Sequence, residues 1–141
     1  MVEIRKARAE DVPSIVSLIA DDQLGATRER PGDPRYLAVA REIARSLFIK
    51  STFTPGLFEG LAGIAEFMVD MYRATGEPAY LDRAYDMAES VLWYGIPRSN
   101  GLAWPGRWMD RISSDYSSGA AGIGLFFVRL LNPDARFTMD L

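Results

Sequence analysis

The twelve-residue stretch Gly56-Leu57-Phe58-Glu59-Gly60-Leu61-Ala62-Gly63-Ile64-Ala65-Glu66-Phe67 returns in shortened form as Gly119-Ala120-Ala121-Gly122-Ile123-Gly124-Leu125-Phe126. At an offset of 59, Gly60, Ala62, Gly63, Ile64, Phe67 and Val69 match Gly119, Ala121, Gly122, Ile123, Phe126 and Val128, six identities in ten positions. A second echo, offset by 44, sets Gly32-Asp33-Pro34-Arg35-Tyr36-Leu37 against Gly76-Glu77-Pro78-Ala79-Tyr80-Leu81 and runs on through Ala40/Ala84, Ala44/Ala88 and Ser46/Ser90. The two echoes interleave, which is the pattern of a repeated pair of unlike helices stacked side by side.

Periodicity separates the two kinds of helix. Residues 34 to 48 place Leu37, Ala40, Ile43, Ala44, Leu47 and Phe48 at three-and-four spacing with Arg35, Arg41, Glu42 and Arg45 opposite, so this helix has one wet face and is an outer one. Residues 60 to 74 carry only Glu66 and Asp70 as charges in their first three turns, so this helix is buried on most sides and is an inner one. Gly76 ends it, and Pro78 opens a second outer helix that runs to about Trp93 with Leu81, Ala84, Ala88, Val91 and Leu92 inward. Gly119 to Leu131 reads as a second inner helix, stopped by Asn132-Pro133. Between the last two helices, residues 95 to 118 read as a long loop holding Trp104 and Trp108, and a loop of that length usually serves function or interaction.

The glycines at the openings of the inner helices require a reason, because each costs a helix interior about 0.5–1 kcal/mol. Close backbone packing is one. The other is that helix N-termini aim free N–H groups into a shared cavity that holds an anionic or polar group.

A chain of 141 residues with 48% hydrophobic and 25% charged residues suits one soluble domain. The net charge of −3 with scattered basic residues argues against a nucleic-acid partner, and no apolar run approaches the ~18 residues of a membrane span. No signal peptide is legible, so a cytoplasmic location is expected. There is no cysteine and no histidine, which removes thiol nucleophiles, imidazole bases and the two strongest zinc ligands. No metal and no cofactor are expected.

Val2-Glu3-Ile4-Arg5 alternates like a strand, and Ala9 to Pro13 opens a helix striped by Ile15, Val16, Leu18 and Ile19. Ile4-Arg5-Lys6-Ala7, Asp11-Val12-Pro13 and Leu24-Gly25-Ala26-Thr27-Arg28-Glu29 resemble the opening of the GNAT acetyltransferases over residues 2–30. That family's Gly-rich pyrophosphate loop has no counterpart further on, so a working acetyltransferase is not encoded. The segment reads as a β-α unit or fusion remnant. A polar stretch punctuated by Gly and Pro sets a boundary at about 25 to 32, giving segments 1–31 and 32–141.

Residues 32–141 carry a second resemblance. An inner helix opening with Gly60-Leu61-Ala62-Gly63-Ile64, paired with an outer helix opening with Pro78-Ala79-Tyr80-Leu81, resembles the lanthionine synthetase C-like cyclases. The run from Arg111-Ile112-Ser113-Ser114-Asp115-Tyr116 to Gly124-Leu125-Phe126 looks like the closing repeat of the cyclase domain in kinase-cyclase fusions. The resemblance implies a mainly α fold, a partial α/α toroid of about two helix pairs behind the short β-α unit. It also implies thioether-ring formation, in which cysteine thiols of a precursor peptide add to its dehydroalanine or dehydrobutyrine residues. Zinc-dependent members bind the metal through a Cys-His-Gly run, and here that slot holds Phe58-Glu59-Gly60, so the expected chemistry is zinc-independent or lost in isolation.

For such a reaction the ionisable residues beside the Gly-rich openings are the candidates. Glu59 is the expected base, Tyr116 a proton donor, Arg111 a stabiliser of developing charge and Asp115 a further acid or base, while Ser117 and Ser118 can cap the last helix. Phe58, Gly60, Trp104, Trp108 and Gly119 are the expected substrate-binding residues. A complete toroid needs around six pairs, so self-association or the remaining repeats of a larger protein are expected to cover the unfinished apolar faces. Two alternatives stay open: a peptide-binding module without chemistry, and an α/α-toroid carbohydrate enzyme using Asp110 and Asp115 with Trp93, Tyr94, Trp104 and Trp108.

Overall fold

The computed structural model describes residues 34–49 and 51–135, and Ser14 alone in the N-terminal stretch. The β-α unit expected near the N-terminus, its GNAT-like pattern and the boundary at 25 to 32 lie outside the described residues. What is described is mainly helical, in the order α1 (Pro34–Ser46), α2 (Leu61–Thr75), α3 (Pro78–Leu92), β1 (Ile96–Arg98), β2 (Gly101–Pro105), β3 (Ile112–Ser113) and α4 (Ala120–Leu131).

Helix α2 is the centre of the core. Its Leu61, Ala62, Ala65, Met68, Val69 and Met71 are buried, and it packs against α1, α3 and α4. Gly76 closes it with a φ of 70° and returns its N–H to the Tyr72 carbonyl, a left-handed cap that a side chain disfavours. Pro78 then sits in the first turn of α3, where its missing N–H costs nothing, and α3 buries Tyr80, Ala84, Met87, Ala88 and Val91 against α2. Helix α4 completes the core against α2 through Ile123, Phe126 and Leu130.

The outer helices are less covered than their periodicity predicts. On α1 only Ala44 is buried; Ile43, expected inward, is 46% exposed, and Phe48, beyond the helix end at Ser46, is 47% exposed. Phe48 packs at the edge of Tyr80 with the Arg83 guanidinium over its ring. Leu92, in the last turn of α3, is also exposed.

The expected loop at 95 to 118 is instead a small antiparallel meander in the order β1-β2-β3. Arg98 pairs with Gly101 across the two-residue turn Ser99-Asn100, and Gly101 has a φ of 138°, a conformation open to glycine. Trp104 and Pro105 then pair with Ser113 and Ile112. Trp104 anchors the ribbon: it is buried, its indole N–H donates to the Val91 carbonyl at 3.0 Å, and its ring packs against Phe127. Three short strands were not legible as strands because the hydrophobic alternation is confined to a few residues between proline and glycine.

Candidate functional site

Each of the two inner helices is entered through a seven-residue turn, 54–60 before α2 and 113–119 before α4. In the first, Thr54 donates its hydroxyl to the Glu59 carbonyl at 2.5 Å. The first-turn N–H groups of Leu61, Ala62 and Gly63 donate to the carbonyls of Thr54, Pro55 and Gly56 at 3.0, 3.2 and 3.4 Å. These groups are therefore consumed by the turn. At α2 the expectation of free N–H groups aimed into a cavity is corrected, and close backbone packing is what the glycines serve: a Cβ on Gly60 would meet the Thr54 carbonyl oxygen at 2.5 Å.

In the second turn a side chain does the organising. Asp115 accepts from the Ser117 hydroxyl and the Ser118 N–H on one carboxylate oxygen, and from the Ser118 and Ser113 hydroxyls on the other. The hydrogen bond from Ser113, followed by those from Ser118 N–H, Ser117 and Ser118, hold the Asp115 carboxyl well below the usual carboxylate range. Such a carboxylate is a turn-builder and a poor proton acceptor near neutral pH.

The two turns pack on one another. The Phe58 N–H donates to the Ser117 carbonyl at 2.9 Å, the Phe58 and Tyr116 rings meet edge to face at 5.7 Å, and Gly56 lies against the backbone of Ser118. Between them opens a cleft of about 210 Å³ lined by Thr54, Gly56, Phe58, Glu59, Arg107, Ser117 and Ser118. Arg107 comes from the turn between β2 and β3. Its Nε meets Glu59 Oε2 at 2.8 Å, and its guanidinium lies 5.0 Å over the Trp108 ring.

Of the residues singled out in the sequence, Phe58 and Glu59 therefore line the cleft, and Gly60 and Gly119 are buried beneath it as packing points. Tyr116 is half-buried, and its hydroxyl is buried with no hydrogen-bond partner among the described residues. Arg111 is exposed at the far end of the β2–β3 turn, where its carbonyl accepts the Gly106 N–H at 2.8 Å, and it does not line the cleft. Trp108 is 71% exposed beside Arg107, while Trp104, in the core, offers no stacking surface to a ligand. Asp110 is exposed in the same turn as Arg111.

Two features were not found from the sequence. Arg107 stands in a stretch that reads as loop, and only the β2–β3 hairpin brings it onto Glu59. The other is a buried ion cluster: Arg129 of α4 meets Glu66 of α2 at 2.5 Å and also pairs with Asp70. The signal is present, since Glu66 and Asp70 are the only charges in the first three turns of α2 and Arg129 stands 59 residues after Asp70.

The model of the lanthionine synthetase C-like family matches residues 26–140, and the chain belongs to that family. A "Probable SapB synthase" of Streptomyces coelicolor is 28% identical over 109 residues, covering 76% of this chain. The match takes in 11% of that protein, so the chain spans about a ninth of the relative it resembles. No solved structure matches the chain.

The zinc site that the family implies is not met by these residues. The chain has no Cys and no His, Phe58 has no donor atom and is packed against Tyr116, and Glu59 is held by Arg107. Among the described residues no three acidic side chains cluster as ligands. A single half-exposed carboxylate does not make the tetrahedral N/S set that zinc prefers.

Proposed function

We propose that the chain contributes the closing helix pairs of an α/α toroid in a thioether-forming cyclase, and that the cleft between the two turns receives a dehydrated precursor peptide. The observation that carries this reading is Glu59: it is the carboxylate among the residues lining a cleft built by both family motifs. Glu59 takes the proton of the substrate cysteine, the sulfur bonds to the β-carbon of the dehydroamino acid, and the α-carbon is protonated. The sum is an addition with no oxidant and no leaving group. Metal activation of the thiol has no support from the donor set, so the base does that work.

The incomplete ring agrees with this reading. Val128 and Leu131 on α4, and Tyr36, Val39 and Ile43 on α1, present apolar side chains to solvent. Further repeats of the same kind, in a larger protein or from a second copy, are the partners that would cover them. The reaction also needs free substrate thiols, which a reducing compartment such as the cytoplasm preserves. Among the described residues no helix is long and apolar enough to cross a membrane.

The test is incubation of the chain with a dehydrated, cysteine-containing peptide, followed by thiol alkylation and mass spectrometry. Rings formed by wild type and lost in Glu59→Gln support the reading. Peptide binding without rings favours the second reading, a peptide-binding module, which the occupation of Glu59 by Arg107 also suits.

A further inference from the structure

A base accounts for half of the addition. The other half is the negative charge that develops on the carbonyl oxygen of the dehydroamino acid as sulfur bonds to its β-carbon, and that oxygen needs a donor. The cleft has few to give. The Thr54 hydroxyl donates to the Glu59 carbonyl, the Ser117 and Ser118 hydroxyls donate to Asp115, and the Phe58 N–H donates to the Ser117 carbonyl. Arg107 differs. Its Nε engages Glu59 at 2.8 Å, its side chain is half exposed, and its two Nη groups have no partner among the described residues.

The geometry points to Arg107 as a catalytic residue, the donor that receives the enolate oxygen of the acceptor peptide from within the same ion pair that holds the base. The inference rests on the cyclase reading. In the step, the thiol proton passes to the Glu59 carboxylate, the C–S bond forms, and the π pair of the dehydroamino acid moves onto its carbonyl oxygen as an enolate. Protonated Glu59 then returns the same proton to the α-carbon, so protons and electrons balance with no further reactant. The pairing gives the order of events a physical cause. When Glu59 becomes neutral, Arg107 loses its charged partner at the moment when the enolate oxygen gains charge. An exposed pair of this kind holds its partners weakly, so the exchange meets little resistance.

Arg111, the cation suggested by the sequence, is replaced in this role, because it sits outside the cleft. The Trp108 ring beneath the guanidinium orients it without consuming an N–H donor.

The experiment uses the full chain as wild type, R107Q, R107K, E59Q and E59Q/R107Q, each checked for an unchanged circular dichroism spectrum. Ring formation is followed by mass spectrometry. Separately, calorimetry compares two short peptides that differ only in ending, at the reacting position, in a carboxylate or a carboxamide. The planar carboxylate imitates the enolate, and E59Q imitates the protonated base. R107Q is expected to lower kcat about 100-fold with KM changed less than about threefold, and R107K to recover part of the loss. E59Q is expected to bind the carboxylate peptide about tenfold more tightly than the carboxamide, a preference that vanishes in E59Q/R107Q. A preference untouched by R107Q, no binding of either peptide to E59Q, or R107Q at wild-type kcat overturns the role of Arg107. An Arg107-dependent preference in a protein that makes no rings overturns the cyclase reading and leaves the anion-receiving role standing.

Discussion

The carbonyl oxygen of Leu57 occupies the space a side chain on Gly63 would need: a Cβ there would lie 1.9 Å from it. The contact recurs 59 residues later, where a Cβ on Gly122 would lie 2.0 Å from the carbonyl oxygen of Tyr116. Both oxygens belong to the turns that face the cleft, so the glycines let each turn fold down onto its helix. The packing of both turns is thereby tied to the absence of two methyl groups.

Gly63→Ala and Gly122→Ala are therefore expected to destabilise by about 1–3 kcal/mol, as overpacking does, despite the better helix propensity of alanine. Gly124 provides the comparison, since a Cβ there meets nothing within 4 Å. Gly124→Ala is expected to be neutral or to stabilise by up to about 1 kcal/mol. Urea midpoints of the three variants decide the matter, and a Gly63→Ala protein as stable as Gly124→Ala would contradict the packing argument.

The ion cluster across α2 and α4 makes a second prediction. Arg129 is 2% exposed and holds Glu66, itself buried, together with Asp70. Removing one member of a buried pair strands the other's charge, which costs about 3–5 kcal/mol, whereas replacing both by apolar groups is often neutral. Arg129→Met alone is expected to lose that amount and Glu66→Leu/Arg129→Met to recover most of it, measured as a coupling energy in a double-mutant cycle.

The helices were legible in the sequence because periodicity and end signals agreed. Gly76 and Pro78 bound α2 and α3 as read, and the charge-poor face of 60 to 74 announced the buried centre. The meander was not legible, since its register depends on Trp104 reaching the Val91 carbonyl, a contact that no local pattern encodes. The site was half legible for the same reason. Phe58 and Glu59 sit inside a motif that marks them, while Arg107 joins them only through tertiary folding of the hairpin. The outer faces of α1 and the end of α3 were over-read, because a periodic apolar stripe does not say whether a neighbour is present to cover it.

Asp115 gives a pH dependence with a defined sign. Its carboxyl is held below the ordinary value of 3.8 by the hydrogen bonds of its own turn. A group whose folded pKa is depressed contributes stability above the unfolded value and loses it as pH falls through the folded one. Asp115→Asn is therefore expected to be less stable than wild type at pH 7, by an amount that stays constant down to about pH 5 and shrinks only below about pH 4. Urea denaturation of both proteins at pH 7, 5 and 3 tests this, and a difference that grows on acidification would be the wrong sign.

Trp104 and Trp108 separate architecture from surface within one ribbon. Trp104 fills the space between α3 and α4, so Trp104→Ala leaves a cavity and removes the indole hydrogen bond to the Val91 carbonyl, and is expected to cost about 3–5 kcal/mol. Trp108→Ala removes an exposed ring and is expected to change stability by less than about 0.5 kcal/mol. The two substitutions also test whether this ribbon binds sugars by stacking. Isothermal titration with oligosaccharides is expected to show no binding to wild type, and saturable binding that Trp108→Ala abolishes would reopen the carbohydrate alternative, with Trp108 rather than the buried Trp104 as its platform.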